Sequence, residues 1–227
     1  MTQVVCHISI SVDGFTAGPD QSRDNPLGIG GDLLHTWFDW DLPTPANESD
    51  ARMKAELALP MGAFIMGRNM YGPIRGEWSE DWRGWWGEDP PYHAPVFVLT
   101  HYAHDPIEMK GGTTFHFVTE GFGAAFERAQ AAAGTGDIRI AGGALTVRQA
   151  LAAGVLDELT LDISPVLLGS GERLFDGVRD PGLKPLEALH SPNATHVRYR
   201  VAGALMGIVL ASTAISYLAR HSSKAQQ

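Results

Sequence analysis

A chain of 227 residues with 44% hydrophobic and 19% charged residues can bury a substantial core, which excludes a disordered or fibrous protein. The net charge of −9 argues against a nucleic-acid binder, because neutralising phosphates needs clustered Lys and Arg, yet it leaves room for a phosphorylated cofactor held by a few local cations. Cys6 is the only cysteine, which excludes an intrachain disulfide and a CxxC metal site.

In chain order, Val4 to Ser11 is rich in β-branched residues and ends at the turn signal Asp13-Gly14, which predicts a strand. Cys6 lies in this apolar run and reads as a buried small hydrophobe. The N-terminus shows no charged n-region, long apolar stretch or cleavage site, so a cytoplasmic location is expected. Gly18 to Gly31 reads as a long loop, and Ser49-Asp50 is expected to cap a helix running through Met53, Leu57 and Leu59 to Pro60. Ala63 to Met66 predicts a short strand closed by Gly67-Arg68. The segment from Tyr71 to Pro91 is a long loop dense in Trp and acids.

Pro95 to Thr100 predicts a strand buried on both faces, and Thr113 to Thr119 alternates with Phe115 and Phe117 on one side. Phe122 to Ala133 is an Ala-rich helix stopped by Gly134. Ile138 to Ala141 is a strand, after which Gly142-Gly143 opens a helix from Leu145 to Ala153, ended by Gly154. Leu159, Leu161 and Ile163 alternate with Thr160, Asp162 and Ser164, the pattern of a strand buried on one face; Val197, Tyr199 and Val201 repeat it. Strands alternating with helices predict an α/β domain with a mostly parallel mixed sheet, helices on both faces and an antiparallel C-terminal edge.

From Ala202 to Ala219 no charge occurs, and Arg200 and Arg220 bracket the run. It is just long enough to cross a bilayer, and Gly203 and Gly207 form a small-xxx-small pair. The alternative is a helix docked on the protein or on a second subunit. The division expected is a domain over residues 1–201 and an apolar helical tail over 202–227, with membrane contact through 202–219 in the spanning reading.

Ligands of such sheets bind beyond the carboxyl ends of the strands. Three of these ends suit a dinucleotide, although singly a Gly-Gly before a helix also serves tight packing, Arg68 a surface salt bridge and His101 a solvated loop. Gly67-Arg68 joins a glycine that permits close approach to a guanidinium that can grip phosphate. Thr100-His101 offers a hydroxyl and an imidazole. Gly142-Gly143-Ala144-Leu145 puts two glycines before a helix start, where free amides and the dipole favour a pyrophosphate. Among acids, Asp13 sits at the first strand end and reads equally as a turn former. Glu48, Asp50 and Glu56 lie on the first helix, where a solvated acidic face is the simpler reading. Trp78, Trp82, Trp85 and Trp86, with Glu80, Asp81, Glu88 and Asp89, either wall a flat substrate or form a satellite core or dimer contact. His93, His101 and His104 lack metal-site spacing, and Gly169-Ser170-Gly171 lacks a nucleophile elbow.

Together these motifs resemble the dihydrofolate-reductase-like family, and within it the C-terminal reductase domain of the bifunctional riboflavin-biosynthesis deaminase/reductase. The resemblance runs from about Val4 to Val201. It is carried by Ser11-Val12-Asp13-Gly14-Phe15, Met66-Gly67-Arg68, Val98-Leu99-Thr100-His101, Ala141-Gly142-Gly143 and, above all, Ser164-Pro165-Val166-Leu167-Leu168-Gly169-Ser170-Gly171-Glu172-Arg173-Leu174-Phe175. It implies a three-layer dihydrofolate-reductase-like fold, NADPH as hydride donor, a small heterocyclic substrate such as the ribosylaminopyrimidine of riboflavin biosynthesis, and a homodimer. Gly67 and Arg68 then resemble the family's phosphate-contacting turn, and Thr100 and His101 its adenosine-phosphate contacts. Gly142, Gly143, Ala144 and Leu145 resemble its pyrophosphate turn. Val166 to Gly171, including Leu168 and Gly169, resembles the crossover beside the cofactor, or reads as a turn that pins the last strands together without touching it, and Asp13-Gly14-Phe15 resembles the start of the loop over the nicotinamide. No motif selects a proton donor; Asp13 and Asp50 are the candidates. The alternatives are a dihydrofolate or pterin reductase, and an NADPH-binding module without turnover.

Overall fold

The computed structural model describes residues 2–38, 47–79 and 81–202. The opening β-branched run forms β1 (Val4–Ser11), and the chain turns at Gly14, φ +87°, into the short β2 (Phe15–Ala17). A 3-10 turn at Gly31–His35 precedes α1 (Glu48–Leu57). There follow β3 (Ala63–Gly67), α2 (Arg68–Tyr71), β4 (Pro95–Leu99), β5 (Ile107–Glu108), β6 (Thr114–Val118), α3 (Phe122–Ala133) and β7 (Ile138–Gly142). The chain ends its described part with α4 (Ala144–Ala152), β8 (Glu158–Ser164), β9 (Glu172–Arg173), β10 (Leu183–His190) and β11 (Thr195–Val201). Nine strands form one sheet in the order β10-β11-β8-β1-β7-β3-β4-β6-β5, while β2 pairs with β9. The six strands from β8 to β6 run parallel; β11 and β10 form the expected antiparallel edge, and β5 adds a second one on the far side.

Alternation along the strands sorts side chains to two faces. Val4, Cys6 and Ile10 of β1, Ala63 and Ile65 of β3, and Leu159 and Leu161 of β8 pack with α3 and α4 in one core. In α3 the buried Phe122, Ala125, Ala129 and Ala133 form a single stripe, and the small alanines bring the helix close to the sheet. Fully burying a side chain such as Ile65, Ile138 or Ile140 contributes roughly 1.5–3 kcal/mol. On the other face Phe64, Met66, Tyr71, Val96, Val98 and Phe115 form a second cluster. Beside it, Trp37, Met53 and Ala194 seat α1.

Two expectations are corrected here. The cap of α1 is Asn47, whose side chain accepts from the Ser49 and Asp50 amides at 2.9 and 3.4 Å, and the helix stops before Leu59. The strand β8 is buried on both faces: the Ser164 hydroxyl donates to the Leu34 carbonyl of the 3-10 turn, Asp162 pairs with His196 and His7, and Thr160 is buried as well. The Ala202–Ala219 run lies outside the described residues from position 203 onward, as does Glu80. Among the described residues no helix is long and apolar enough to cross a membrane.

Candidate functional site

Parallel register brings the strand ends to one edge. Ser11 stands beside Ser164, Met66 beside Gly142, Gly67 beside Leu99, and Leu99 beside Val118. The three sequence-predicted ends, Gly67-Arg68, Thr100-His101 and Gly142-Gly143, therefore lie along the same side of the sheet.

Gly67 ends β3, and Arg68 begins α2. The Arg68 guanidinium lies 3.8 Å from the centroid of Trp78 and 5.2 Å from that of Tyr102, with Nη1 donating to the Thr100 hydroxyl at 3.4 Å. Its Nε and Nη2 are buried without a hydrogen-bond partner, and it forms no ion pair among the described residues. Burial holds this guanidinium below its ordinary pKa range, and the charge of Arg75 acts in the same direction. A desolvated cation with unpaired N–H groups is costly until an anion meets it. The Thr100 hydroxyl is itself buried and also bonds Tyr102, accepting from its amide at 3.2 Å. His101, next along, is exposed.

At the end of β7 the Gly142–Gly143 peptide is cis, and Gly142 has φ +121°. Gly143 has φ −74° and caps α4 without any side-chain hydrogen bond, so the first amides of α4 have no side-chain acceptor. The positive φ thus belongs to Gly142 alone. A Cβ on Gly143 would meet nothing within 4 Å, whereas one on Gly67 would press on the Thr146 hydroxyl at 2.9 Å and approach the Gly143 amide at 3.6 Å. Gly67 therefore lets β3 lie against this turn, and Gly143 leaves the space before the helix start open. Ala144 is buried and Leu145 is 61% exposed.

The end of β8 crosses over beside β1. The Val12 amide donates to the Val166 carbonyl at 2.9 Å. The Asp13 carboxylate accepts from the amides of Leu168 and Gly169 at 3.1 and 2.7 Å. A hydrogen bond from the Ser11 hydroxyl is the largest effect on the Asp13 carboxyl; burial opposes it, and the two amides help hold the group down at about 2. Asp13 is thus ionised at neutral pH and clasps the crossover. Gly171, φ +125°, passes so close to β2 that a Cβ would land on the Ala17 carbonyl oxygen.

Asp50 is not with the others. It is 1% exposed on the buried side of α1, hydrogen-bonded to His196, and so departs from the solvated helix face expected of it. Glu56 pairs with Arg198 and Arg52. The tryptophans divide: Trp82 donates to the Tyr71 carbonyl and packs on Trp85, in a satellite core. Trp78 packs edge-on to Tyr71 and Phe117 and reaches the site through Arg68.

Apolar side chains complete the edge. Val12, 62% exposed, and Leu167, 73% exposed, stand with Leu145 at the ends of the adjacent strands β1, β8 and β7 as an apolar rim. A cavity of about 400 Å³ opens nearby, lined by Gly18, Gln21, Asn69, Arg75, Gly171 and Glu172 among others. Exposed apolar residues following strand ends were the available signal for the rim. Nothing local marks the cavity, which needs three distant segments.

The family model described as the RibD C-terminal domain matches residues 2–197. No curated protein sequence matches the chain. Among solved structures, the chain is similar to a pyrimidine reductase-like protein from Corynebacterium diphtheriae, at 16% identity over 88% of this chain and 92% of that one, with a TM-score of 0.53. The riboflavin biosynthesis reductase Rib7 of Saccharomyces cerevisiae aligns at 13% identity over 88% of this chain and 89% of its own, TM-score 0.51. A dihydrofolate reductase from Enterococcus faecalis, complexed with NADP(H), aligns at 14% identity over 88% and 96%, TM-score 0.50. At these identities the likeness is one of fold: the sheet is of dihydrofolate-reductase type.

Proposed function

The chain belongs to the RibD C-terminal domain family, and on that premise we propose that it is an NADPH-dependent reductase passing hydride to a small heterocyclic acceptor of the kind handled in riboflavin biosynthesis. Arg68 is the observation that carries the reading. A guanidinium laid on Trp78, short of solvent and with Nε and Nη2 unpaired, is relieved by a phosphate at the strand ends.

The residues present fit the cofactor. Arg68 and Thr100 would hold a phosphate, with His101 exposed at the same end. The amides around Gly142, Gly143, Ala144 and Leu145 would hold the pyrophosphate at the open start of α4. NADPH, when bound, supplies the hydride; the protein contributes position and shelter. Val12, Leu145 and Leu167 offer apolar contact to a flat ring. Asp13 holds Leu168 and Gly169 in place and, being ionised, has no proton to give. With Asp50 on the buried face of α1, solvent is the proton source in this reading.

Calorimetric titration of the parent and of Arg68→Ala with NADPH tests it. Loss of a charge-assisted contact of roughly 1.5–3 kcal/mol weakens binding about 10- to 100-fold. A folded Arg68→Ala protein with parental affinity would overturn the assignment.

A further inference from the structure

The sheet face beneath α1 carries an array of ionisable groups that the cofactor site does not use. Asp50, in the first turn of α1, meets Nε2 of His196 on β11 at 2.9 Å. Nδ1 of the same ring meets Asp162 of β8 at 2.7 Å, and Asp162 meets Nε2 of His7 on β1 at 2.9 Å. The side chains of Asp50, Asp162 and His196 are each 1% exposed, and that of His7 is 7% exposed. Trp37 seals the array, edge-on to His196 with ring centroids 4.9 Å apart, its indole N–H donating to the Ser9 hydroxyl at 3.1 Å.

An imidazole with a carboxylate on each nitrogen has a restricted proton count. Ionised carboxylates only accept, so both contacts are hydrogen bonds when both ring nitrogens carry protons. Burial opposes the charge on His196, but the hydrogen bonds it donates to Asp162 and Asp50 outweigh it and raise the ring above the ordinary histidine range. Burial likewise opposes the charge on Asp162, and His7 and His196 overcome it and hold that carboxyl low. A neutral His196 can donate to only one of its two partners. Donation to Asp162 would leave the Asp50 carboxylate buried and unmatched, and donation to Asp50 would leave Asp162 with His7 alone; either is unfavourable.

We infer that Asp50, His196, Asp162 and His7 form a proton-held lock that fastens the start of α1 to the β1–β8–β11 face and releases it when His196 sheds one ring proton. Other ionisable groups frame the lock. His35 of the 3-10 turn, lowered by burial, lies within electrostatic reach of Asp162 and of Asp32, and Cys6 of β1 within reach of Asp162 and of Arg139 on β7. Further along α1, Glu56 pairs with Arg198 of β11, and Arg52 pairs with Glu187 of β10. Those pairs hold the later part of α1, so release begins at its first turn.

The sign follows from linkage. A raised histidine gives stability that is complete below its unfolded pKa and declines as pH climbs to the folded value. Hydrogen exchange of the full chain, read on peptides covering 48–57 and corrected for the intrinsic base-catalysed rate, should show protection falling about tenfold per pH unit across that interval and levelling off beyond it. Peptides covering α3 should hold their protection at the pH where 48–57 first loses it. In His196→Gln the corrected protection of 48–57 should not vary over the same interval. Nitrogen-15 shifts of the parent's His196 ring, which need no variant, should report both nitrogens protonated at pH 7. A neutral ring at pH 7, flat protection of 48–57 through the His196 titration, equal loss across α3, or an unchanged pH response in folded His196→Gln would each overturn the lock.

Discussion

Replacing Gly143 by Val separates ligand space from fold. Gly143 has φ −74° and ψ −163°, a conformation open to any residue, and its Cβ would have no neighbour within 4 Å. The unliganded protein therefore accommodates the side chain. Because Gly143 caps α4 without a side-chain bond, exchanging a good cap residue for a poor one costs about 1 kcal/mol or less, a fall of roughly 2–4 °C in Tm for a domain of this size. The side chain would instead fill the space in front of the first α4 amides. If two charge-assisted bonds to the pyrophosphate are lost, each of roughly 1.5–3 kcal/mol, affinity for NADPH falls by about two to four orders of magnitude. Thermal unfolding by circular dichroism and calorimetric titration read the two effects separately. A Gly143→Val protein with a near-parental Tm and parental affinity would refute the placement of the cofactor; one that fails to fold would refute the reading of Gly143 as unencumbered.

Other perturbations should act through different parts of the edge. Gly171→Ala sets a Cβ onto the Ala17 carbonyl at φ +125°, so it should cost about 1–3 kcal/mol or more, seen as a lowered urea midpoint; an unchanged midpoint would contradict the close approach of β2 to the crossover. Asp13→Asn should loosen the 165–171 turn, and because the folded carboxyl is depressed, the parent's extra stability should be present above the ordinary carboxylate range and fade as pH falls toward about 2; parallel acid unfolding curves of parent and variant would contradict it. The Cys6 thiol, pushed up to about 12 by burial, should resist alkylation at pH 8 in the native protein and react only as fast as the core opens; rapid native labelling would show that β1 is not sealed.

Much of the parallel sheet was legible because buried parallel strands read as apolar, β-branched runs. The reading of β1, β3, β4 and β7 rests on such runs, and that of α3 on its alanines and on Gly134. β10 escaped notice: Leu-Lys-Pro-Leu-Glu-Ala-Leu-His carries a proline and a bulge on an edge strand, where exposure erases the alternation. β2, β5 and β9 are two or three residues long, too short for any period. The candidate cofactor edge could be assembled from short motifs because parallel strands deliver their ends to one side. Asp50, Asp162, His196 and His7 could not, since their proximity depends on the register that sets Ser9 beside Asp162 and Asp162 beside His196. Alternation in β8 also misled, because polar residues that pair with one another can be buried as completely as leucines.

The central claim is that a phosphorylated nicotinamide cofactor lies across the strand ends between Arg68 and the start of α4. A crystal structure of the protein with NADPH tests this most directly. The account predicts the pyrophosphate against Gly142, Gly143 and the first amides of α4, with a cofactor phosphate on Nε or Nη2 of Arg68. Density for NADPH at any other place, or an Arg68 guanidinium still unpaired with the cofactor bound, would contradict it.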